Sequence, residues 1–203
     1  IVLPSSLPKQ FYEEPSIVAT TKESHVHQIF NALYEKIDNG RSILVICESI
    51  KQANDLSKKV KKLASEHSIK DKNFNVEPFT KAVLYCRDHE KFEYGDGTSL
   101  LKPKNIIYST NLAGRGTDIR LDEELKNNGG LHVIVAYLPE NLRVEEQAFG
   151  RAARCGDQGT AQLIVYANEI EHGKNLNISK LKLKRNAKEI RRIQKITDYY
   201  QEK

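Results

Sequence analysis

Residues 145–159 read EEQAFGRAARCGDQG, and the rest of the chain is organised around this stretch. It contains the spacing Q-x-x-G-R-x-x-R-x-G, formed by Gln147, Gly150, Arg151, Arg154 and Gly156. On a helix, Gln147, Arg151 and Arg154 leave one face because they are four and three residues apart. Two guanidiniums on one face, beside a glycine that lets another backbone approach, suit a planar, multiply charged anion such as a triphosphate. A solvated, arginine-rich helix end is the alternative, and two arginines alone would favour it.

A second patterned stretch, NIIYSTNLAGRGTD at residues 105–118, favours the anion site. Residues 106–110 form a short apolar run rich in β-branched residues, which predicts a buried strand of a parallel sheet. The run is followed by the turn residues Gly114, Arg115, Gly116, Thr117 and Asp118. Glycines at the carboxyl end of a strand allow a tight turn, and open α/β sheets bind ligands at that edge. One G-x-G turn is a weak signal, but two such stretches in this order form a specific pair.

At these residues the chain resembles the second RecA-like domain of superfamily two helicase motors. The run STNLAGRGTDI is similar to their motif V, and QAFGRAARCGDQG is similar to their motif VI. Within that superfamily the sequences of these two motifs are most similar to those of the SecA family, the ATPases that drive preproteins through the Sec channel. The run GGLHVI at residues 129–134 and the opening IVLPSSLPKQFYEEPSIVATTKES are also similar to that family. The resemblance extends over most of the chain, and its motifs are specific.

In the related motors, ATP lies on the first RecA-like domain and the second domain closes over it. The resemblance therefore implies that Arg151 and Arg154 are arginine fingers for the γ-phosphate, and that Gln147 senses the γ-phosphate or its water. It also implies a nucleotide-facing edge formed by Gly114, Arg115, Gly116, Asp118 and Gly150, with Asp118 and Gly116 near the ribose and phosphates and Arg115 paired with acids of the first domain. The chain contains no G-x-x-x-x-G-K-[ST]. We therefore expect ATP and Mg²⁺ to be held mainly by a missing first domain, and this chain alone not to be catalytic.

Two features of the chain depart from a complete SecA-like motor. Residues 137–143 read YLPENLR where the family carries a charged E-R-H-E-S-R-R run, so only Glu140 and Arg143 keep their charges. The long insertion usual in the family between the TDI run and GGLHVI is also missing, and it is reduced here to LDEELKNN. Coupling to a protein substrate and to the Sec channel is therefore a weaker expectation than the nucleotide chemistry. The acidic run Asp122, Glu123 and Glu124 follows the glycine turn instead of ending a strand, which predicts an exposed helix start and not a magnesium site.

The composition of the chain limits the kinds of protein that it can be. The 203 residues are 29% charged and 39% hydrophobic, as in a soluble globular domain with an appendage. No apolar run reaches membrane-spanning length and no signal peptide begins the chain, so we expect a cytoplasmic location, at most peripheral to a membrane or larger assembly. Cys47, Cys86 and Cys155 lack metal-site spacing and predict free thiols. His25 and His27 form no ligand pattern and are expected to be solvated.

The net charge of +5 is concentrated in residues 58–62 and 180–195. The first cluster predicts a solvated face. The second, in the tail, suits an acidic membrane surface, an acidic partner or nucleic acid. The other expected partners are the first RecA-like domain of the same chain and a polypeptide substrate, both implied by the resemblance.

Taken in order, the apolar patterns alternate between strand and helix. Strands are predicted at residues 17–20, 43–47, 74–79, 106–110, 131–137 and 161–166. Capped helices are predicted to begin at Thr20 and at Ser49, and the first carries an apolar stripe formed by Val26, Ile29, Phe30, Leu33, Tyr34 and Ile37. Further helices are predicted from about Asn141 and just before Cys86, and residues 88–104 are predicted to be a loop. This alternation predicts an α/β, RecA-like domain at residues 1–167, with a mostly parallel sheet and helices on both faces. Residues 168–203 are predicted to be a connector and one long basic helix, the start of a helical scaffold. The helix carries a narrow apolar stripe formed by Leu183, Ala187, Ile190, Ile193 and Ile196.

Three functions remain open from the sequence. The chain is one half of a SecA-like, ATP-driven motor coupled to protein translocation or remodelling, which is the function we favour. Alternatively, it is the second domain of a nucleic-acid helicase, or a non-catalytic SecA-like assembly module.

Overall fold

The structure is a computed structural model, and it describes residues 10–86, 94, 99–111, 119–154, 156–167 and 177–201. Six strands form one sheet in the order β1-β6-β5-β2-β4-β3, and every neighbouring pair is parallel. The strands are β1 Gln10–Ala19, β2 Ser42–Cys47, β3 Val83–Tyr85, β4 Ile106–Thr110, β5 Leu131–Val135 and β6 Gln158–Tyr166. The helices are α1 Lys22–Asp38, α2 Ile50–Lys70, α3 Glu77–Thr80, α4 Glu123–Asn127, α5 Leu142–Phe149 and α6 Ile178–Gln201.

The helices cover both faces of the sheet. One buried cluster joins α1, α2 and α3 to Ile43, Val45 and Cys47 of β2, while the other joins α4, α5 and α6 to Leu44 and Ile46 of the same strand. Successive side chains of a strand point to opposite faces, which explains why one strand contributes to both clusters. The predicted α/β, RecA-like fold class, with a parallel sheet and a C-terminal helix, is confirmed.

The two longest helices next to the sheet begin at side-chain caps. Thr21 Oγ1 accepts the backbone N–H of Ser24 at 3.0 Å before α1, and Ser49 Oγ accepts the N–H of Gln52 at 3.2 Å before α2. Each cap satisfies an N–H group that has no partner inside the helix. The cap at Ser49 was predicted, whereas the α1 cap lies one residue after the predicted Thr20.

The prediction for residues 74–86 is wrong. The expected strand at residues 74–79 is a turn followed by the short helix α3, and the expected helix before Cys86 contains strand β3. Pro78 lies in the first turn of α3, where its missing N–H is tolerated. Phe74 and Phe79 are buried against Phe30, with ring centroids 6.2 and 5.6 Å from its ring. Their spacing therefore reflects packing onto α1 and not strand alternation.

Helix α6 lies on the domain through its first two turns only. Ile178 and Leu181 pack against the cluster below α5, and Arg185 is buried. The predicted apolar stripe is not the face that docks, because Leu183, Ile190, Ile193 and Ile196 are 49–68% exposed. Among the described residues, no helix is long and apolar enough to cross a membrane.

Candidate functional site

The carboxyl ends of the strands lie along one edge of the sheet because all the strands are parallel. Glu48 follows β2, Asn111 follows β4, and Ala136 and Tyr137 follow β5. The helix after β2 lies on one face of the sheet, whereas the helices after β4 and β5 lie on the other. A crevice opens at such a reversal, and this is where open α/β sheets bind ligands.

Helix α5 immediately precedes the two motif arginines. Asn141 Oδ1 accepts the N–H of Val144 at 3.0 Å, so the helix begins where the sequence predicted. The helix ends at Phe149, and the backbone continues in a turn in which the Arg151 N–H donates to the Ala148 carbonyl at 3.2 Å. The expectation that Gln147, Arg151 and Arg154 share one helix face is therefore wrong, because both arginines lie in the turn beyond the helix.

The turn after α5 is held against β6 at Gly159. A Cβ atom on Gly159 would stand 1.9 Å from the Ala152 carbonyl oxygen and 2.4 Å from its carbonyl carbon. Gly156, between the two, has a φ of +85°, a conformation that glycine adopts without strain. The sequence suggested that another segment's backbone would approach Gly150. The atoms nearest a Cβ on Gly150 instead belong to α5 itself, and the close approach of another segment occurs at Gly159.

Arg151 reaches the carboxyl edge of the sheet. Its Nη2 donates a hydrogen bond of 3.2 Å to the carbonyl oxygen of Asn111, the residue directly after β4. Asn111 is also the last described residue before residues 112–118, which contain the glycine turn. The two motifs recognised in the sequence therefore meet through Arg151 at one edge.

Tyr137 lies in the electrostatic field of Arg151. Burial, together with the nearby carboxylates of Glu48 and Glu140, raises the pKa of Tyr137 to about 12, while the Arg151 charge opposes this rise. The phenol is thus neutral at physiological pH and remains a hydrogen-bond donor. This residue was not among the sequence candidates. Its position at the carboxyl end of the strand predicted at residues 131–137 is the signal that could have identified it.

The other members of the arginine stretch differ in burial. Arg154 is half-buried in the same turn, and its carbonyl accepts the N–H of Asp157 at 2.9 Å. Gln147 is exposed near the end of α5. Gly114, Arg115, Gly116 and Asp118, which the sequence placed at the nucleotide edge, lie outside the described residues, as does Cys155. Their predicted roles stay predictions.

A cleft of about 440 Å³ opens at the same edge between the first turns of α1 and α2. Its lining includes Tyr137, Tyr166 and Gln52. Gln52 holds this part of the edge together, because its Oε1 accepts the N–H of Glu48 at 2.6 Å and its Nε2 donates to the Ala136 carbonyl at 3.2 Å. The amide therefore joins the ends of β2 and β5.

His25 corrects one of the sequence expectations. It was expected to be solvated with His27, but His25 is buried and its Nε2 donates to the Ile164 carbonyl at 2.9 Å. Burial lowers its pKa. His27, two residues on, is exposed as expected.

The acidic run after the glycine turn starts a helix, as predicted. Asp122 Oδ1 accepts the N–H of Glu124 at 2.8 Å and caps α4. In the part of the chain that the structure describes, no three His, Cys, Asp or Glu side chains group as a metal site.

Comparisons with known proteins bear on this site. A family model described as the SecA P-loop domain matches residues 9–128, which include the glycine turn and end before α5. The protein translocase subunit SecA of Halothermothrix orenii is 31% identical over 165 residues, covering 81% of this chain and 18% of that protein. Protein translocase subunit SecA 2 of Rhodopirellula baltica is 33% identical over 158 residues, covering 78% and 22%. The chain thus spans about a fifth of the length of these relatives.

Solved structures with a similar fold are more distant in sequence. The E. coli DEAD-box protein SrmB, bound to regulator of ribonuclease activity A, has 18% identity and a TM-score of 0.45, covering 83% of this chain and 82% of that one. A DEAD box protein from Methanococcus jannaschii has 15% identity and a TM-score of 0.42, covering 79% and 36%.

Proposed function

The chain belongs to the SecA P-loop domain family, and from this membership we propose that it is the arginine-supplying half of an ATP-driven motor. In this proposal ATP is held mainly by a first RecA-like domain that carries the phosphate-binding loop. The observation that carries the proposal is the contact of Arg151 with Asn111. It joins the turn that carries Arg151 and Arg154, here called the arginine turn, to the residue that follows β4.

The chemistry of the edge supports this role. Phosphoryl transfer is catalysed mainly by positioning and by stabilising charge on the γ-phosphate, because the protein contributes little covalent chemistry. A guanidinium at the carboxyl edge of the sheet can stabilise the negative charge on the γ-phosphate when the domain that holds ATP closes over this edge. Such an arginine is worth roughly a thousandfold or more in rate. The backbone contact to Asn111 fixes the position of the Arg151 side chain before the nucleotide arrives.

The remaining residues have more specific proposed roles. Arg154 is the second finger, Gln147 senses the γ-phosphate or its water, and Asp118 and Gly116 lie at the ribose and phosphate edge. Arg115 pairs with acidic residues of the first domain. Mg²⁺ bound with the nucleotide would neutralise its β- and γ-phosphate charge, and the proposal assigns its protein ligands to the first domain.

The proposed cargo of the motor is a polypeptide. Relatives that share about a third of their aligned residues with this chain are named protein translocase subunits. The chain spans only about a fifth of their length, so translocation or remodelling of protein belongs to the proposal for the whole molecule and not to this domain alone.

We expect the isolated chain to hydrolyse no ATP and to bind it with a Kd of about 1 mM or weaker, because it lacks a loop that encloses the phosphates. Calorimetry with ATP on the chain, and on the chain joined to its first domain, measures this difference. Micromolar binding with turnover by the chain alone would overturn the proposal of a half site.

A further inference from the structure

A wide groove runs between α6 and the loop that follows β5, on the side of the sheet that carries α5. We call it the α6 groove. One wall is formed by Leu138, Pro139 and Glu140, and the other by α6 residues between Leu181 and Ile196. Its volume is about 1350 Å³, three times that of the cleft beside Tyr137.

The charge of the α6 groove is strongly positive. Its lining contains six cationic side chains and two anionic ones, Glu140 and Glu189. Arg185 is engaged with Glu145, and Arg192 lies 3.6 Å from Glu189. Within the described part of the chain, Lys188, Arg191 and Lys195 are exposed and form no salt bridge. These three charges are therefore available to a partner.

The α6 groove also has apolar surface between its charges. Leu138 and Leu181 are half-buried against the core, and Pro139 is buried. Ile196, at the far end of the groove, is 49% exposed. Apolar groups that stay accessible inside a basic concavity indicate a partner with one apolar and one acidic face.

The dimensions of the α6 groove fit a helix. A helix is about 10 Å across and rises about 1.5 Å per residue, so a volume of this size holds roughly three turns. The wall from Leu181 to Ile196 is about 22 Å long by the same rise, which is enough to contact three turns along their length.

From this combination of concave shape, charge and apolar floor, we propose that the α6 groove docks an acidic amphipathic helix of a protein partner. A flat anionic membrane would contact the outermost residues of α6 and leave the half-buried Leu138 and Leu181 uncovered. A single-stranded nucleic acid needs aromatic side chains for stacking, and the lining has none.

The test uses the 203-residue chain and a fluorescein-labelled helical peptide of about 14 residues, with glutamates on one face and leucines on the other. Fluorescence anisotropy at low salt measures its affinity. Reversing the three unpaired charges, Lys188→Glu with Arg191→Glu and Lys195→Glu, should weaken binding at least tenfold. The matched control is Lys58→Glu with Lys61→Glu, which reverses exposed charges on α2 and should leave binding within about twofold.

A second pair of variants separates the apolar contact from the charge. Ile196→Ser should weaken binding about threefold or more, whereas Leu183→Ser, an exposed leucine of α6 outside the α6 groove, should not. Circular dichroism of each variant verifies that α6 is intact. Equal binding of a peptide with the same composition in scrambled order would overturn the proposal. Tighter, charge-reversal-sensitive binding of phosphatidylglycerol vesicles or of a single-stranded RNA would also overturn it.

Discussion

Gly159 is the residue at which the arginine turn and the sheet depend most closely on each other. A side chain there would meet the Ala152 carbonyl at 1.9 Å and the Ala153 nitrogen at 3.0 Å, and these backbone atoms cannot move aside as a flexible side chain can. The absence of a Cβ at this position thus allows the turn that carries Arg151 to lie against β6.

We expect Gly159→Ala to lower the free energy of unfolding by about 3 kcal/mol or more, because the added methyl group must displace backbone. Gly150→Ala is the matched control, since its nearest neighbour would be 3.1 Å away and its φ is not positive, and it should change stability by about 1 kcal/mol or less. Urea unfolding measures both. Similar losses in the two variants would mean that the approach of Ala152 to Gly159 is not what constrains this position.

His132 should make stability depend on pH. It is fully buried on β5, its Nδ1 lies 2.6 Å from Thr160 Oγ1, and burial, with Arg41 and Lys36 nearby, lowers its pKa well below 6.5. The Glu14 carboxylate, 3.9 Å away, does not offset this because it pairs with Lys36 at 2.8 Å. The imidazole is therefore neutral in the fold, whereas the unfolded chain protonates it below about pH 6.5.

Stability is thus lost as pH falls through 6.5, because the unfolded state then binds more protons, with a slope of up to about 1.4 kcal/mol per pH unit for this group. In urea unfolding at pH 7.5 and 5.5, His132→Gln should lose less stability on acidification than the natural chain. His27→Gln, which removes an exposed histidine, is the control and should behave like the natural chain. The assignment to His132 fails if the loss on acidification is the same with and without this imidazole.

At the scale of elements, α5 and α6 are joined by a buried carboxylate. Glu145 is 3% exposed, forms a salt bridge with buried Arg185, and lies 2.7 Å from Lys182 Nζ. Lys182 also lies 3.5 Å from Glu13 of β1. These ion pairs, together with Ile178 and Leu181, attach the first turns of α6 to the domain.

Removing the carboxylate should detach α6, because a buried guanidinium would be left without its counter-charge. We expect Glu145→Ala to cost about 3–5 kcal/mol in unfolding free energy, or to release α6 from the domain. Hydrogen exchange of α6 amides and urea unfolding distinguish the two results. Glu146→Ala, which truncates the adjacent exposed glutamate, should leave both measurements nearly unchanged. An equal effect of the two substitutions would exclude the buried pair as the attachment.

The sequence predicts an element well when local patterns determine its structure, and poorly when tertiary contacts determine it. Periodicity and capping chemistry explain why the α1 stripe, the Ser49 cap, the start of α5 near Asn141 and strands β2 and β4 were predicted. The apolar pattern of residues 74–79 predicted a strand, but Phe74 and Phe79 are apolar because they pack on Phe30. This contact cannot be read from the local sequence. The face of α6 that packs on the domain likewise depends on the salt bridge between Arg185 and Glu145, two residues that are 40 positions apart in the chain.

The same distinction applies to the candidate site. The arginine spacing and the glycine-rich stretch identified two segments of interest, and the hydrogen bond of Arg151 to the Asn111 carbonyl joins these segments at the carboxyl edge of the sheet. The sequence analysis placed Arg151 and Arg154 on the helix, whereas α5 ends at Phe149 with Gly150 as its C-cap residue. Gln52 was missed because its role depends on the ends of β2 and β5, which its side chain joins. Tyr137 was missed because its role depends on its proximity to Arg151, which is distant in the sequence.

At the scale of the whole molecule, the central claim is that this domain supplies the arginines for an ATP held elsewhere. The claim predicts a separation between binding and catalysis, because the arginine contacts strengthen mainly in the transition state. Lysine keeps the charge and loses the planar fork, so Arg→Lys substitutions test the geometry apart from the electrostatics.

The most direct measurement is the ATPase kcat and the nucleotide Kd of the full-length protein carrying Arg151→Lys or Arg154→Lys. We predict that kcat falls by roughly two orders of magnitude while Kd changes by less than about threefold. Arg143→Lys, on an exposed arginine of α5, is the control and should retain the natural rate. If both motif variants hydrolyse ATP as fast as Arg143→Lys does, the arginines are structural and the account of this domain as half of an ATP site is wrong.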